Sequence, residues 1–196
     1  KASLLMELME NKPYDFIVNI EKKNINSIEN FKHRTINGND IIELMWGLHK
    51  IYKEHGGLEN VFVQAYEKNK DLYYSLEAFY KQILFYTQNP HCLKHISNVS
   101  KNSAAKRLNL FLRWMVRSDE RKVDFGIWKS IPPSALYIPL DVHVSKVART
   151  LGLLERNQND WKAVKELTEN LKYFDKDDPV KYDYALFGMG LEKIDV

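Results

Sequence analysis

Apolar residues in this chain recur every three or four positions, the period of an α-helix seen from one side, and this spacing constrains the fold more than any other feature. Ile41, Ile42, Leu44, Met45, Leu48, Ile51 and Tyr52 follow a possible cap at Asn39 or Asp40 and run to Gly56-Gly57, which predicts a helix with a glycine stop. Leu58 to Tyr66 predicts another. Leu72 to Tyr86 carries Leu76, Phe79, Tyr80, Ile83 and Phe85 at helical intervals, with Pro90 ending the pattern. With Ser103 as N-cap, the run Ala104 to Arg117 places Leu108, Phe111, Leu112, Met115 and Val116 on one face. Asp141 opens a segment to Leu151 that Gly152 terminates, and Asp160 caps Trp161 to Phe174. Asp177 or Asp178, with Pro179, starts a last helix in which Tyr182, Ala185, Leu186 and Met189 recur before Gly190.

Between these segments, Cys92 to Ser103 reads as a polar, turn-rich connector, and Gly126, Pro132 and Pro133 predict a loop with at most one short turn before Pro139. Alternation of apolar and polar residues is missing, and Asn37-Gly38 falls between helical segments rather than between strands. The expected class is all-α. No internal repeat points to a solenoid.

The 196 residues suffice for one sizeable core or two small helical lobes sharing an interface, and 44% hydrophobic with 28% charged residues is the balance of a chain that folds throughout. A single cysteine, Cys92, excludes an internal disulfide framework and any four-cysteine zinc or iron–sulfur site, and suits a reducing cytoplasm. No run of about 18 apolar residues would span a bilayer, so no membrane association is expected. The chain begins at Lys1, and Leu4, Leu5, Met6, Leu8 and Met9 read like the middle of an amphipathic helix, so an N-terminal segment is expected to be missing.

A net charge of +3 does not by itself mark a nucleic-acid binder, but the distribution is uneven. Lys101, Lys106, Arg107, Arg113, Arg117, Arg121 and Lys122 face only Asp119 and Glu120 within one short stretch. On a helical wheel Lys106, Arg113 and Arg117 fall within roughly 40° of one another, opposite Leu108, Phe111 and Met115. This stripe reads either as a solvated face or as a face for phosphates. Asp141, at a helix start, is explained by capping as readily as by catalysis. His143 has no second histidine or acid at ligand spacing, so no metal and no cofactor are expected.

Taken in order, these segments resemble the helix-hairpin-helix (HhH-GPD) DNA base-excision glycosylases. Ser103-Ala104-Ala105-Lys106-Arg107-Leu108 is similar to the start of that family's second hairpin helix, with its lysine. Leu140-Asp141-Val142-His143-Val144 resembles the family's Val-Asp-Thr-His-Val motif, and Asp183-Tyr184-Ala185-Leu186-Phe187-Gly188-Met189-Gly190 its closing helix. The likeness extends over the chain to a bacterial family of uncharacterised activity within this superfamily, through Lys106-Arg107-Leu108-Asn109-Leu110-Phe111-Leu112-Arg113-Trp114-Met115-Val116-Arg117 and Asp178-Pro179-Val180-Lys181-Tyr182-Asp183.

The resemblance implies a two-lobed, all-α HhH-GPD-like glycosylase fold over residues 1–196, with the hairpin and catalytic region at about residues 96–150. It implies base excision with β-lyase activity on a damaged base in double-stranded DNA, by a monomer. Lys106 would be the nucleophile and Asp141 the carboxylate that stabilises the cationic sugar. A lysine attacks only as the neutral amine, which burial or the charges of Arg107 and Arg113 would favour. Lys101, Asn102, Ser103, Arg107, Arg113 and Arg117 would contact DNA. Trp114, Trp128, Tyr137 and His143 are candidates for the wall of a pocket for a flipped base. The family hairpin reads Leu-Pro-Gly-Val-Gly, whereas Ile96 to Ser103 contains no glycine; asparagine, which tolerates left-handed backbone, is the available substitute. The alternatives are a nucleic-acid-binding or scaffold protein of the same fold without the chemistry, and a helical protein-interaction module.

Overall fold

The computed structural model describes residues 2–119 and 123–192. The fold is all-α. Its elements are α1 (Ala2–Leu8), α2 (Pro13–Val18), α3 (Lys22–Glu29), α4 (Gly38–His55), α5 (Leu58–Asn69), α6 (Leu72–Tyr86), α7 (Lys106–Val116), α8 (Val142–Thr150), α9 (Trp161–Lys172) and α10 (Asp183–Glu192). Short 3-10 turns lie at Pro90–His95, Val99–Lys101, Pro133–Ala135 and Pro179–Tyr182. The chain forms two compact units, one from Lys1–Gln64 with Ala78–Ile96 and the other from Ala65–Glu77 with Ser97–Val196. Among the described residues, no helix is long and apolar enough to cross a membrane.

The first unit closes over Met9, Ile20, Ile28, Phe31, Ile41 and Met45, with Phe16, Ile17 and Trp46 packed on the outside of this cluster. Two departures from the sequence reading lie here. Lys32–His33 and Ile36–Asn37 form a two-stranded antiparallel hairpin, too short for any alternation to register. The cap of α4 is Asn37 rather than Asn39 or Asp40. The Asn37 side chain accepts the Asp40 amide at 2.9 Å and Asp40 Oδ2 accepts the Asn37 amide at 3.3 Å, a reciprocal pair that satisfies two helix-end donors. Asp40 also accepts hydrogen bonds from His91 at 2.7 Å and His95 at 3.1 Å, so the acid spaced as a cap is also a buried anchor for the 3-10 turn at Pro90–His95.

In the second unit α8 and α10 pack side by side. A Cβ at Gly190 would fall 2.8 Å from His143 Cβ, so this glycine sets how closely the two helices approach. Helix α7 starts at Lys106, two residues later than Ser103 as N-cap would allow. The residue in the cap position is Ala105, in left-handed conformation at φ 47°, and it supplies no side-chain cap. Ser103 is engaged elsewhere: its backbone bridges to Asp160, and its hydroxyl accepts the Ala105 amide at 3.3 Å. Asn109 donates to the Ala104 carbonyl at 3.2 Å and fixes the turn from the helix side. Asp141 and Asp160 cap α8 and α9 as expected, accepting amides of Val144 and Ala163 at 2.8 and 3.1 Å. Asp178 caps nothing, because its carboxylate is bound by Arg117; the chain passes through Pro179–Tyr182 before α10 begins.

Burial raises the Asp40 carboxyl, but hydrogen bonds from His91, His95 and the Asn37 amide, with the Lys94 charge, outweigh it and bring its pKa to about 2. A carboxyl depressed in the folded state contributes stability above its ordinary value of about 4, and that contribution is lost as pH falls toward 2. Asp40→Asn, which can still cap, is expected to lower the unfolding temperature at pH 7 and to flatten its decline between pH 4 and pH 2. An acid limb unchanged in the variant would contradict this assignment.

Candidate active site

Lys106 opens α7 and Asp141 caps α8, and these two helix starts bring the side chains together. Lys106 Nζ donates to Asp141 Oδ2 at 2.9 Å, while Asp141 Oδ1 accepts the Val144 amide at 2.8 Å. One carboxylate thus holds a helix end with one oxygen and a lysine with the other. Burial raises the Asp141 carboxyl, and the hydrogen bonds from Lys106 and Val144 outweigh it and hold it below the ordinary carboxylate value. The lysine side chain is 46% exposed and the aspartate 11%.

The pair lies on the wall of a cavity of about 480 Å³, all of whose lining residues belong to the second unit. The volume suits a small organic ligand. Leu110 and Trp114 from α7, Val123 and Phe125 from the following loop, Pro139, and Phe187 from α10 supply an apolar surface. The polar groups are Lys106, Asp141, Arg113, Asp183 and Tyr184. Apolar walls with a few convergent polar groups are the usual lining of a small-molecule site.

Beneath the cavity, Arg113 is 3% exposed and fully engaged. Its Nε donates to Asp124 at 3.2 Å, Nη1 to Asp183 and Nη2 to the Tyr184 hydroxyl, and its guanidinium lies 4.2 Å from the Tyr184 ring centroid. Arg117 donates to Asp178 at 2.9 Å and to Asp124 at 2.8 Å. The cationic stripe expected on α7 is therefore corrected. The three residues share a face, but the face of Arg113 and Arg117 is covered by acids from the loop and the C-terminal segment. Both guanidiniums are already paired with carboxylates. Burial pushes the Asp183 carboxyl up to about 6, against the pull of Arg113 and with the negative charges of Asp141 and Asp124 adding to it.

Other sequence candidates divide. Trp114 lines the cavity and is exposed. Trp128 does not: it is buried edge-to-face against Phe111, as a core residue. Tyr137 packs on Trp161 at 4.7 Å between ring centroids and donates to Asp71 at 2.9 Å, away from the cavity lining. The His143 ring is exposed and lies edge-to-face on the cavity residue Phe187, 5.8 Å between ring centroids, and is not itself part of the lining. Lys101 and Arg107 are exposed. Asn102 adopts the left-handed conformation at φ 64°, with its amide on Asp160 at 2.7 Å, so asparagine does occupy a turn that glycine would favour. Ser103 is half-buried in its bridge to Asp160. Arg121 and Lys122 lie outside the described residues. No group of His, Cys, Asp and Glu among the described residues could hold a metal ion.

The sequence reading missed Asp183, Tyr184, Phe187, Leu110, Val123, Phe125 and Pro139. A signal existed for some of them: Lys106, Leu110, Arg113 and Trp114 are spaced i, i+4, i+7 and i+8, and Asp183 and Phe187 are spaced i and i+4, so each set shares one face of its helix.

Removing Arg113 strands the buried Asp183 carboxylate and takes from Asp124 one of its two guanidinium partners. Arg113→Met is expected to cost about 3–5 kcal/mol of unfolding free energy at pH 8, where Asp183 is least able to relieve the strain by taking a proton. A stability within about 0.5 kcal/mol of wild type would mean that this arginine is not structural.

No curated protein and no solved structure matches the chain. Residues 1–192 match the family described as "Protein of unknown function (DUF2400)", and the chain belongs to that family.

Proposed function

We propose that the protein is a DNA glycosylase with β-lyase activity, of the helix-hairpin-helix kind, acting on a damaged base turned out of the duplex into the cavity beside Lys106. The observation that carries this reading is the 2.9 Å contact of Lys106 and Asp141 at an aromatic-walled cavity large enough for one base. The chemistry requires an amine and a carboxylate within reach of one sugar. Lys106 passes a proton to Asp141 Oδ2 and its nitrogen attacks C1′ of the sugar. The bond from C1′ to the base breaks, its electron pair leaves with the base, and the base takes up a proton. The C1′–O4′ bond then breaks as the nitrogen lone pair forms the protonated C1′=N Schiff base, O4′ taking up the proton that the attacking nitrogen releases, and loss of a C2′ proton to water expels the 3′ phosphate with the C3′–O electron pair.

Asp141 hands the proton it took from Lys106 on to the departing base and, a carboxylate again, faces the positive charge that develops on the sugar. Its second oxygen stays on the Val144 amide, so the carboxylate does not have to reorient as the charge grows. The apolar walls offer stacking surface to the extruded base. Contacts to phosphate are assigned to Lys101, Asn102, Ser103 and Arg107, since Arg113 and Arg117 are committed to carboxylates.

A duplex with one abasic site is the simplest substrate, because it needs no knowledge of the base. Wild-type protein is expected to incise it, Lys106→Gln to lose more than about a hundredfold in rate, and Asp141→Asn to lose activity while its stability falls by no more than about 1 kcal/mol. Undiminished incision by Lys106→Gln would rule out the lysine nucleophile.

A further inference from the structure

The first unit contains a cavity of its own, of about 560 Å³, all of whose lining residues belong to that unit. Lys106 and Asp141 belong to the other unit. Ile25 from α3, with Ile42 and Trp46 from α4, supplies an apolar wall, and Tyr86 at the end of α6 supplies a second aromatic ring. The charged residues of the lining are Glu29, Glu43 and Lys50.

These groups differ in how far they are already engaged. Lys50 is paired at 3.0 Å with Glu54, which is not part of the lining. The Tyr86 hydroxyl donates to Glu54 at 2.9 Å and meets His55 Nε2 at 2.9 Å, so this residue offers the cavity its ring rather than its oxygen. Glu43 Oε2 accepts the amides of Gln88 and Asn89 at 2.8 and 3.2 Å, which fixes the carboxylate and leaves its other oxygen open. Glu29 is exposed, and neither its carboxylate nor the indole N–H of half-buried Trp46 has a hydrogen-bond partner among the described residues. The unbalanced charge of the cavity is therefore negative.

The acids also gather at one end. Glu29 lies where α3 meets the start of α4, so close that its carbonyl oxygen leaves no room for a Cβ at Gly38, and Glu43 follows within the second turn of α4. Lys50 stands seven residues beyond Glu43, about 10 Å farther along the helix axis, with Trp46 between them. A ligand whose charge sits at the acidic end would lay its apolar part over Trp46 toward Tyr86.

We propose that this cavity binds a small organic ammonium ion, an amine joined to an alkyl chain or a ring. Carboxylates beside aromatic rings are the groups that recognise such a cation, and the volume is that of a small-molecule site. A metal ion is the poorer occupant, because no group of His, Cys, Asp and Glu among the described residues could hold one, and it would leave the apolar wall uncovered. An anion would meet two carboxylates and a lysine already paired. The same repulsion turns away DNA phosphates, so the proposal stands apart from the glycosylase reading.

The test titrates tryptamine into isotope-labelled protein and follows the Trp46 indole N–H resonance, assigned with Trp46→Phe. Tryptophol and indole-3-propionate carry the same ring with a neutral and a negative end. Wild type is expected to bind tryptamine about tenfold more tightly than tryptophol, and more tightly still than indole-3-propionate. The double variant Glu29→Gln, Glu43→Gln is expected to lose that preference and to keep its affinity for tryptophol. The amide at position 43 can still accept the two backbone bonds, so an unchanged thermal transition is expected and checks the fold. A preference for tryptamine retained in the folded variant, equal binding of the three ligands by wild type, or no shift of the Trp46 resonance at about 10 mM tryptamine would overturn the proposal. Incision of abasic DNA should be the same in the variant and wild type, so failure of the ammonium site leaves the Lys106 chemistry standing, and loss of that chemistry leaves the ammonium site standing.

Discussion

The second unit is organised around one buried guanidinium. Arg113 projects from α7 into a region almost closed to water, where an unpaired positive charge would be prohibitively costly, and carboxylates from two other parts of the chain meet it there. Asp124 ties it to the loop after α7, and Asp183 ties it to the first turn of α10. Arg117 repeats the device one turn later, sharing Asp124 and adding Asp178. The loop after α7 and the C-terminal stretch from Asp178 to Asp183 are thereby fixed to one helix face.

The cavity follows from that arrangement. The arginine that joins α7 to α10 forms part of its lining, and the loop anchored through Asp124 presents Val123 and Phe125 at its edge. Lys106 stands two turns before Arg113 on the same face, at the end of α7 where the left-handed Ala105 brings the chain in. Asp141 meets it because capping α8 uses only one of its oxygens. Packing, capping and ion pairing are therefore coupled: the groups that would do chemistry are placed by groups that hold the unit together.

The helices were legible because their periodicity is local, and Asp141 and Asp160 were legible as caps for the same reason. Arg113 was not. Its helical position suggested a solvated or phosphate-facing stripe, and the acids that cover it lie 11 and 70 residues away, beyond the reach of any periodicity. The same long-range pairing removed Asp178 from its expected role as a cap, through Arg117 at a separation of 61 residues. Trp128 and Tyr137 were picked as pocket residues for being aromatic and near Asp141 in sequence, but the alternation of residues 123–128 turns Trp128 inward and Tyr137 packs against Trp161. The likeness to the glycosylase motifs singled out Lys106 and Asp141, which lie 35 residues apart; it did not single out the wall contributed by α10.

The central claim is that the Lys106 nitrogen becomes covalently bound to the sugar. A Schiff base can be reduced in place with borohydride, which makes the bond permanent and lets its position be read directly. Reduction in the presence of a duplex bearing an abasic site, followed by proteolysis and mass spectrometry of the nucleotide-bearing peptide, should find the adduct on Lys106. An adduct on any other amine, or a reaction that leaves no adduct while strand incision proceeds, would contradict the account.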